Sequence, residues 1–262
     1  MNRERFYNAI RPALFRGRLS AEQVTGMEGI LDAFVQVGDG RDKTLAYALA
    51  TAYHETGRKM VPVREGFAKT DAGARRIVRN RTYGKPVGPY RHVYYGRGHV
   101  QLTWLENYRR SSADAGVDLV KYPDKALDPV FSARLLILGL MDGRWNGHGL
   151  GLERYLPTDG PDDVRNARRT VNITDKWRQI GAYYQDFLLA IRDAGGVPVD
   201  EEPAPIDPVQ LEAGKGEPPV STKPVHATPE RLVAALAVLI GAVAAAFGGD
   251  AVGLMELIAK AL

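Results

Sequence analysis

The sequence predicts a mainly α-helical domain, an extended connection after it, and a short apolar helical segment at the end. Three observations carry that prediction. Apolar residues recur at three- and four-residue spacing through several stretches of the first 195 residues, with cap residues at their ends. Between two such stretches, residues 58–98 are rich in Gly, Pro, Tyr and Arg and lack a period, which predicts loops with short helical or strand pieces lining a cleft on a rigid scaffold. Beyond residue 195 the composition shifts to Pro, Gly and acidic residues.

Taken in order, residues 4–16 form a short helix in which Phe6, Ile10 and Leu14 are spaced by four. Ser20 and Gln23 have the spacing of a capping box, and Val24, Met27, Ile30, Leu31 and Phe34 continue a helical stripe up to Gly38. Residues 43–56 carry Leu45, Ala48, Leu49, Ala52 and Tyr53 on one face, with Gly57 as the terminator. This places Glu55 in the last turn, where a buried scaffold meets a loop. Helical patterning returns over 105–115, over 129–143 and over 167–192, the last marked by Ile180, Tyr183, Tyr184, Phe187, Leu188 and Ile191.

The domains that follow are 1–195, a linker over 196–228, and an apolar helix or helical hairpin over 229–262. Thr228 and Pro229 supply an N-cap and a first-turn proline to eighteen uncharged residues from Leu232 to Gly249. At 1.5 Å per residue such a helix reaches about 27 Å, against a hydrocarbon core of ~30 Å. Small residues at Gly241/Ala245 and Ala242/Ala246 suit close helix packing in lipid or in a soluble oligomer. A membrane anchor, a soluble hairpin turning at Gly248-Gly249-Asp250, and disorder all stay open.

The 262 residues contain no cysteine, which excludes disulfides, a thiol nucleophile and thiolate metal ligation. The five histidines lack the spacing of a zinc site, so neither a metal nor a cofactor is expected. The N-terminus has early charge but no apolar run behind it, unlike a secretory signal. Synthesis in a cytoplasm, without export by that route, is the expectation. Residues 196–262 hold nine acidic and four basic side chains, leaving 22 acidic and 31 basic in 1–195. A basic domain suits nucleic acid, an anionic membrane or an anionic wall polymer. No nucleic-acid motif accompanies the charge, so nucleic acid is not an expected partner.

Chemistry concentrates in two places. The run Tyr94-Tyr95-Gly96-Arg97-Gly98-His99-Val100-Gln101-Leu102-Thr103-Trp104, closed by Asn107-Tyr108, lies about forty residues after His54-Glu55-Thr56-Gly57, with Glu65 between. Two carboxylates beside amides, hydroxyls and aromatic rings are the minimum equipment for cleaving a glycosidic bond. A third stretch joins Gly143-Arg144-Trp145-Asn146-Gly147, Leu152 to Tyr155 and Ala167 to Asn172.

On these residues, roughly 20 to 190, the chain resembles the family 19 glycoside hydrolases, which include plant-type chitinases and chitinase-like endolysins of bacterial viruses. The third stretch is closer to the endolysin branch. Two departures separate the chain from the plant enzymes: Asn172 is followed by Ile173-Thr174 in place of two glycines, and cysteine is absent. The resemblance implies a lysozyme-like α-helical fold with a loop-lined cleft, Glu55 as general acid, and Glu65 as the base that activates water. It further implies inversion, with the two carboxyl groups about 6.5–9.5 Å apart. Gln101, Thr103 and Asn107 then bind the sugar and orient the water, and Asn172 adds a contact.

Arg64 and Arg97 are the expected charge partners of Glu65. Gly96 and Gly98 suit close backbone approach or positive φ. Tyr95, Trp104 and Trp145 are candidates to stack on sugar faces, or else to fill the core. The leading expectation is an endolysin acting on the glycan strand of peptidoglycan. Its alternatives are a chitinase with the same machinery, a non-catalytic wall-binding or virion module, and a membrane-active tail over 229–262 fused to the enzyme.

Overall fold

The computed structural model describes residues 1–145 and 149–197. The expected linker and apolar segment, except residues 196 and 197, lie outside the described residues, as do Asn146 and Gly147 of the third motif. Among the described residues no helix is long and apolar enough to cross a membrane.

The helices are α1 (Arg3–Phe15), α2 (Ala21–Val37), α3 (Asp42–Glu55), α4 (Asp71–Val78), α5 (Leu105–Ala115), α6 (Pro129–Asp142), α7 (Val164–Ala167) and α8 (Trp177–Asp193). A two-residue antiparallel pair, β1 (Val63–Arg64) and β2 (Arg97–Gly98), lies within the long loop region. The stripe predicted for the first helix is buried as Phe6, Ile10 and Leu14. Ser20 and Gln23 form the reciprocal capping box of α2. Asp128 caps α6 through its carboxylate, with Pro129 in the first turn.

α3 is the central element. From Thr44 to Tyr53 every residue is buried, because α8 and α6 cover most of its circumference. Ala46, Ala48, Ala50 and Ala52 keep its girth small enough for these neighbours to approach. α1 packs on α8, α2 on α6, and α5 on α6, so the core runs continuously around α3. α3 ends in a Schellman motif: the Gly57 N–H donates to the His54 carbonyl at 3.1 Å and the Arg58 N–H to the Tyr53 carbonyl at 2.8 Å, with Gly57 at φ 58°.

One reading of the sequence needs correction. The stretch 167–192 is not one helix. α7 runs into a 3-10 turn at Arg168–Thr170, the helix is interrupted, and α8 starts only at Trp177 after Lys176 in the left-handed region. The 58–98 region holds the short pieces expected of it, β1, β2, 3-10 turns at Glu65–Phe67 and Thr82–Gly84, and α4, whose Ala74 and Val78 join a small second core with Val93 and Tyr95. Two buried residues per eight give too little apolar signal to distinguish α4 from a polar loop.

Candidate active site

Glu55, Glu65, Gln101, Thr103, Asn107, Trp104, Trp145 and Asn172 line one cleft of about 380 Å³, together with Tyr83 and Gly96. Each reaches it from a different local device.

Glu55 is the last residue of α3, held where the Schellman turn leaves the core. Its side chain is 16% exposed, and its Oε1 accepts an ion-paired contact from Arg168 Nη2 at 2.7 Å. The Arg168 side chain is itself only 3% exposed. Its Nε donates to the Asp175 carbonyl at 3.1 Å. The surroundings of Glu55 therefore contain a buried cation. One turn supplies two cleft features, since the Asn172 N–H donates to the Arg168 carbonyl at 2.9 Å. That bond directs Arg168 inward while Asn172 faces the cleft. Asn172 Oδ1 accepts from the Ile173 N–H at 2.8 Å, which leaves its Nδ2 as a donor.

Glu65 follows β1 and opens the 3-10 turn Glu65–Phe67. Its backbone N–H donates to the Gly96 carbonyl at 2.8 Å, extending the β1–β2 pairing. Both carboxylate oxygens are held: Oε1 accepts from the Tyr83 hydroxyl at 2.6 Å and Oε2 from the Gly96 N–H at 2.9 Å. Burial, with the Glu65 hydrogen bond and charge adding to it, pushes the Tyr83 phenol up to about 12, so it stays a donor.

The arginine partners expected for Glu65 are engaged elsewhere. Arg97 is buried, donates to Asp124 Oδ1 at 2.8 Å and pairs with Asp71 Oδ1 at 3.3 Å. Its guanidinium lies 3.6 Å from the centre of the Tyr95 ring. Arg64 donates to Asp124 Oδ2 at 2.7 Å. Burial raises the Asp124 carboxyl, but the hydrogen bonds and charges of these two arginines outweigh it and bring it below the usual range. Tyr95 is likewise corrected. It is fully buried, its hydroxyl donates to Asp71 Oδ1 at 2.9 Å, and it does not line the cleft. An aromatic ring with a buried arginine on one face belongs to the core.

The segment after β2 turns back on itself, with Arg97 and Leu102 exchanging backbone hydrogen bonds of 3.2 and 2.9 Å. Gln101 closes this turn at φ 54°, and its Nε2 donates to the Val63 and Gly98 carbonyls at 2.9 and 3.1 Å. Gly96 leaves room for the Gln101 amide, since a Cβ there would stand 2.7 Å from Gln101 Oε1; Gly98 is required by its φ of 85°. The Thr103 hydroxyl donates to the Gln101 carbonyl at 2.8 Å, and Asn107 Nδ2 donates to the Thr103 carbonyl at 2.9 Å. Thr103 has thus spent its one donor internally and Asn107 one of its two, while Thr103 Oγ1 and Asn107 Oδ1 keep acceptor capacity at the cleft wall. Such acceptors suit the N–H and O–H donors of a hydroxylated amide or of a water molecule.

Two indoles bound the cleft. Trp104 is 49% exposed, with φ 75°, and its ring meets Tyr83 edge-on at 5.4 Å. Trp145 donates its indole N–H to Ser111 Oγ at 3.1 Å, and its ring lies where a Cβ on Gly139 would be 2.1 Å away. It is fixed across α5 and α6 instead of free to swing. Among the described residues, no group of three or more His, Asp or Glu side chains is arranged to hold a metal ion.

Sequence reasoning missed Arg168 and Tyr83, the side chains that hold the two carboxylates. An arginine in an arginine-rich stretch and a tyrosine in a loop carry no periodic signal, and only the fold brings them to Glu55 and Glu65.

The chain matches no family model. It is 38% identical over 71 residues to the acidic endochitinase pcht28 of Solanum chilense, a match that spans 25% of this chain and 28% of that relative. The chain therefore covers less than a third of the length of that curated relative. Among solved structures, it is similar to chitinase C from Streptomyces griseus HUT6037, with 19% identity, a TM-score of 0.41, and coverage of 74% of this chain and 76% of that one. It is also similar to a bacterial family 19 chitinase, at 24% identity and TM-score 0.39, covering 74% of this chain and 95% of that one.

Proposed function

We propose that the chain is a glycoside hydrolase of the endolysin type, cleaving β-1,4 bonds in the glycan strands of bacterial peptidoglycan by inversion. The observation that carries this reading is the convergence of Glu55 and Glu65 on one cleft walled by indoles and amides. Two carboxylates with different partners divide the labour. Glu55 acts as the acid in its protonated form, delivering the proton carried on Oε2 to the glycosidic oxygen, because Arg168 occupies Oε1. As the bond breaks, the Arg168 guanidinium stabilises the carboxylate left behind. Glu65, fixed at both oxygens, takes a proton from the attacking water. Thr103 Oγ1 and Asn107 Oδ1 orient that water and the sugar as it acquires oxocarbenium character. The first product is then the α-anomer.

Peptidoglycan is favoured as substrate by the excess of nine positive charges in residues 1–195, which concentrates the protein on an anionic polymer. Chitin is the second reading, and the stretch similar to an endochitinase supports it. The apolar run over 229–262 fits a membrane tether, and removing it is expected to abolish partitioning onto vesicles while leaving hydrolysis intact.

The test compares wild type with Glu55→Gln on peptidoglycan and on chitin oligomers, identifying products by mass spectrometry and reducing-end labelling. Disaccharide-containing muropeptides from wild type alone support the wall-lytic reading. Cleavage of chitin alone transfers it to the chitinases, and no Glu55-dependent product from either polymer removes the hydrolase reading.

A further inference from the structure

Tyr47, Thr51 and Glu55 succeed one another at four-residue steps along one face of α3. Glu55 ends the row at the cleft. Tyr47 and Thr51 stand behind it in the core, both fully buried. Neither the Tyr47 hydroxyl nor Thr51 Oγ1 has a hydrogen-bond partner among the described residues, and Arg168 Nη1, also buried, has none either.

The shared face of α3 and the Arg168–Glu55 contact set these three groups on one side of the helix. Arg168 touches Glu55 at one end of the row, and Tyr47 stands at the other, its phenol raised chiefly by burial, with Arg168 lowering it and Glu55 raising it. Thr51 comes between them in the row. A threonine inside a helix commonly donates to the carbonyl one turn back, as Thr56 does to Ala52 at 2.7 Å. Thr51 does not. The Tyr47 ring is fixed by packing on Tyr184, with ring centres 5.8 Å apart, so its hydroxyl is carried into this position by the core.

Buried polar atoms are matched almost without exception, and two to four converging polar groups are what an internal water requires. A guanidinium can only donate, while the two hydroxyls can both donate and accept. A neutral group that accepts from Arg168 and exchanges hydrogen bonds with both hydroxyls satisfies all three, and water does so at the smallest size.

We propose that Tyr47, Thr51 and Arg168 enclose one internal water behind Glu55, and that Tyr47 and Thr51 are positioning residues acting on the Glu55 carboxylate through Arg168. This rests on the assignment of Glu55 as general acid. The water completes the anchoring of the guanidinium: Nη2 holds Glu55, Nε holds the Asp175 carbonyl, and Nη1 holds the water. Anchored on three sides, the guanidinium presents Nη2 to Glu55 in one orientation.

The experiment uses the full chain as wild type, Tyr47→Phe, Thr51→Val and Arg168→Lys, together with Tyr47→Phe in the Arg168→Lys background. High-resolution crystal structures and kcat and KM on the cleaved polymer are measured. The expected result is ordered density within hydrogen-bond distance of Tyr47 Oη, Thr51 Oγ1 and Arg168 Nη1 in wild type. Tyr47→Phe, which keeps the ring, is expected to displace Arg168 from Glu55 and lower kcat on the order of tenfold with KM unchanged. It should add nothing in the Arg168→Lys background, where the shared route is already broken. Absence of that density, or a Tyr47→Phe protein with reduced melting temperature but wild-type kcat and an unmoved Arg168, overturns the proposal. If wild type cleaves neither peptidoglycan nor chitin oligomers, the hydrolase reading fails instead. The density and the Arg168 displacement then decide the positioning role by themselves.

Discussion

Arg168 Nη2 meets Glu55 Oε1 at 2.7 Å inside the protein, with the arginine 3% and the carboxylate 16% exposed. The pair joins the end of the central helix to a turn more than a hundred residues later. Its low exposure separates it from the surface ion pairs of the molecule, such as Arg109 with Glu106, whose side chains are both more than half exposed and contribute little to stability.

Replacing Arg168 by Lys keeps the charge and removes the planar fork that reaches Glu55 and the Asp175 carbonyl together. We expect kcat to fall about 100-fold with KM little changed, because the carboxylate loses its orientation while the sugar contacts remain. Steady-state kinetics on a soluble oligomer check this, and an unchanged kcat would remove Arg168 from the machinery.

Tyr83→Phe removes the hydroxyl that donates to Glu65 Oε1 and retains the ring against Trp104. Glu65 then keeps only the Gly96 N–H. A roughly tenfold loss of kcat with a melting temperature within a few degrees of wild type is expected. Equal losses in Tyr83→Phe and Tyr83→Ala would support the hydroxyl as the active part; a loss confined to Tyr83→Ala would assign the effect to packing.

Gly57 connects the turns that carry Glu55 and Glu65. It adopts φ 58°, and a Cβ there would lie 2.6 Å from the Phe67 ring, two residues beyond Glu65. Gly57→Ala should cost ~1–2 kcal/mol for the left-handed conformation alone and shift the Glu65 turn away from Glu55. Denaturant unfolding and activity, measured together, are expected to fall in parallel. A variant of normal stability and activity would contradict this coupling.

His99 is fully enclosed, with Nε2 donating to the Met60 carbonyl at 3.0 Å. Burial depresses its imidazole from 6.5 to about 4. The unfolded chain therefore binds the proton first as pH falls, and stability contributed by neutral His99 is present above about 6.5 and lost progressively toward 4. The loss is on the order of 3 kcal/mol. In unfolding titrations from pH 7 to 4, His99→Gln should show a flatter pH dependence than wild type; identical slopes would refute the assignment.

Helix ends were legible in the sequence at several places where one local interaction decides them. Ser20 with Gln23 and Gly57 two residues beyond Glu55 mark ends that the structure keeps, because caps and left-handed glycines act within a few residues. Glu55, Glu65, Gln101, Thr103, Asn107, Trp145 and Asn172 were legible as chemistry, and the fold gathers them in one cleft. Tyr95 was misplaced because alternation along a loop cannot tell a ring facing the cleft from one packed on a buried arginine. Its place depends on Arg97, Asp71 and Asp124, which converge from separate segments.

The sequence by itself determined most of the helices, the ends marked by a capping box or a left-handed glycine, and the two carboxylates, since these follow from spacing, caps and residue chemistry within a few turns. Only the tertiary structure decided which groups hold those carboxylates. Arg168 reaches Glu55 and Tyr83 reaches Glu65 across distances in the chain that no local pattern spans, and burial, which sets the strength of each contact, exists only once the helices have packed.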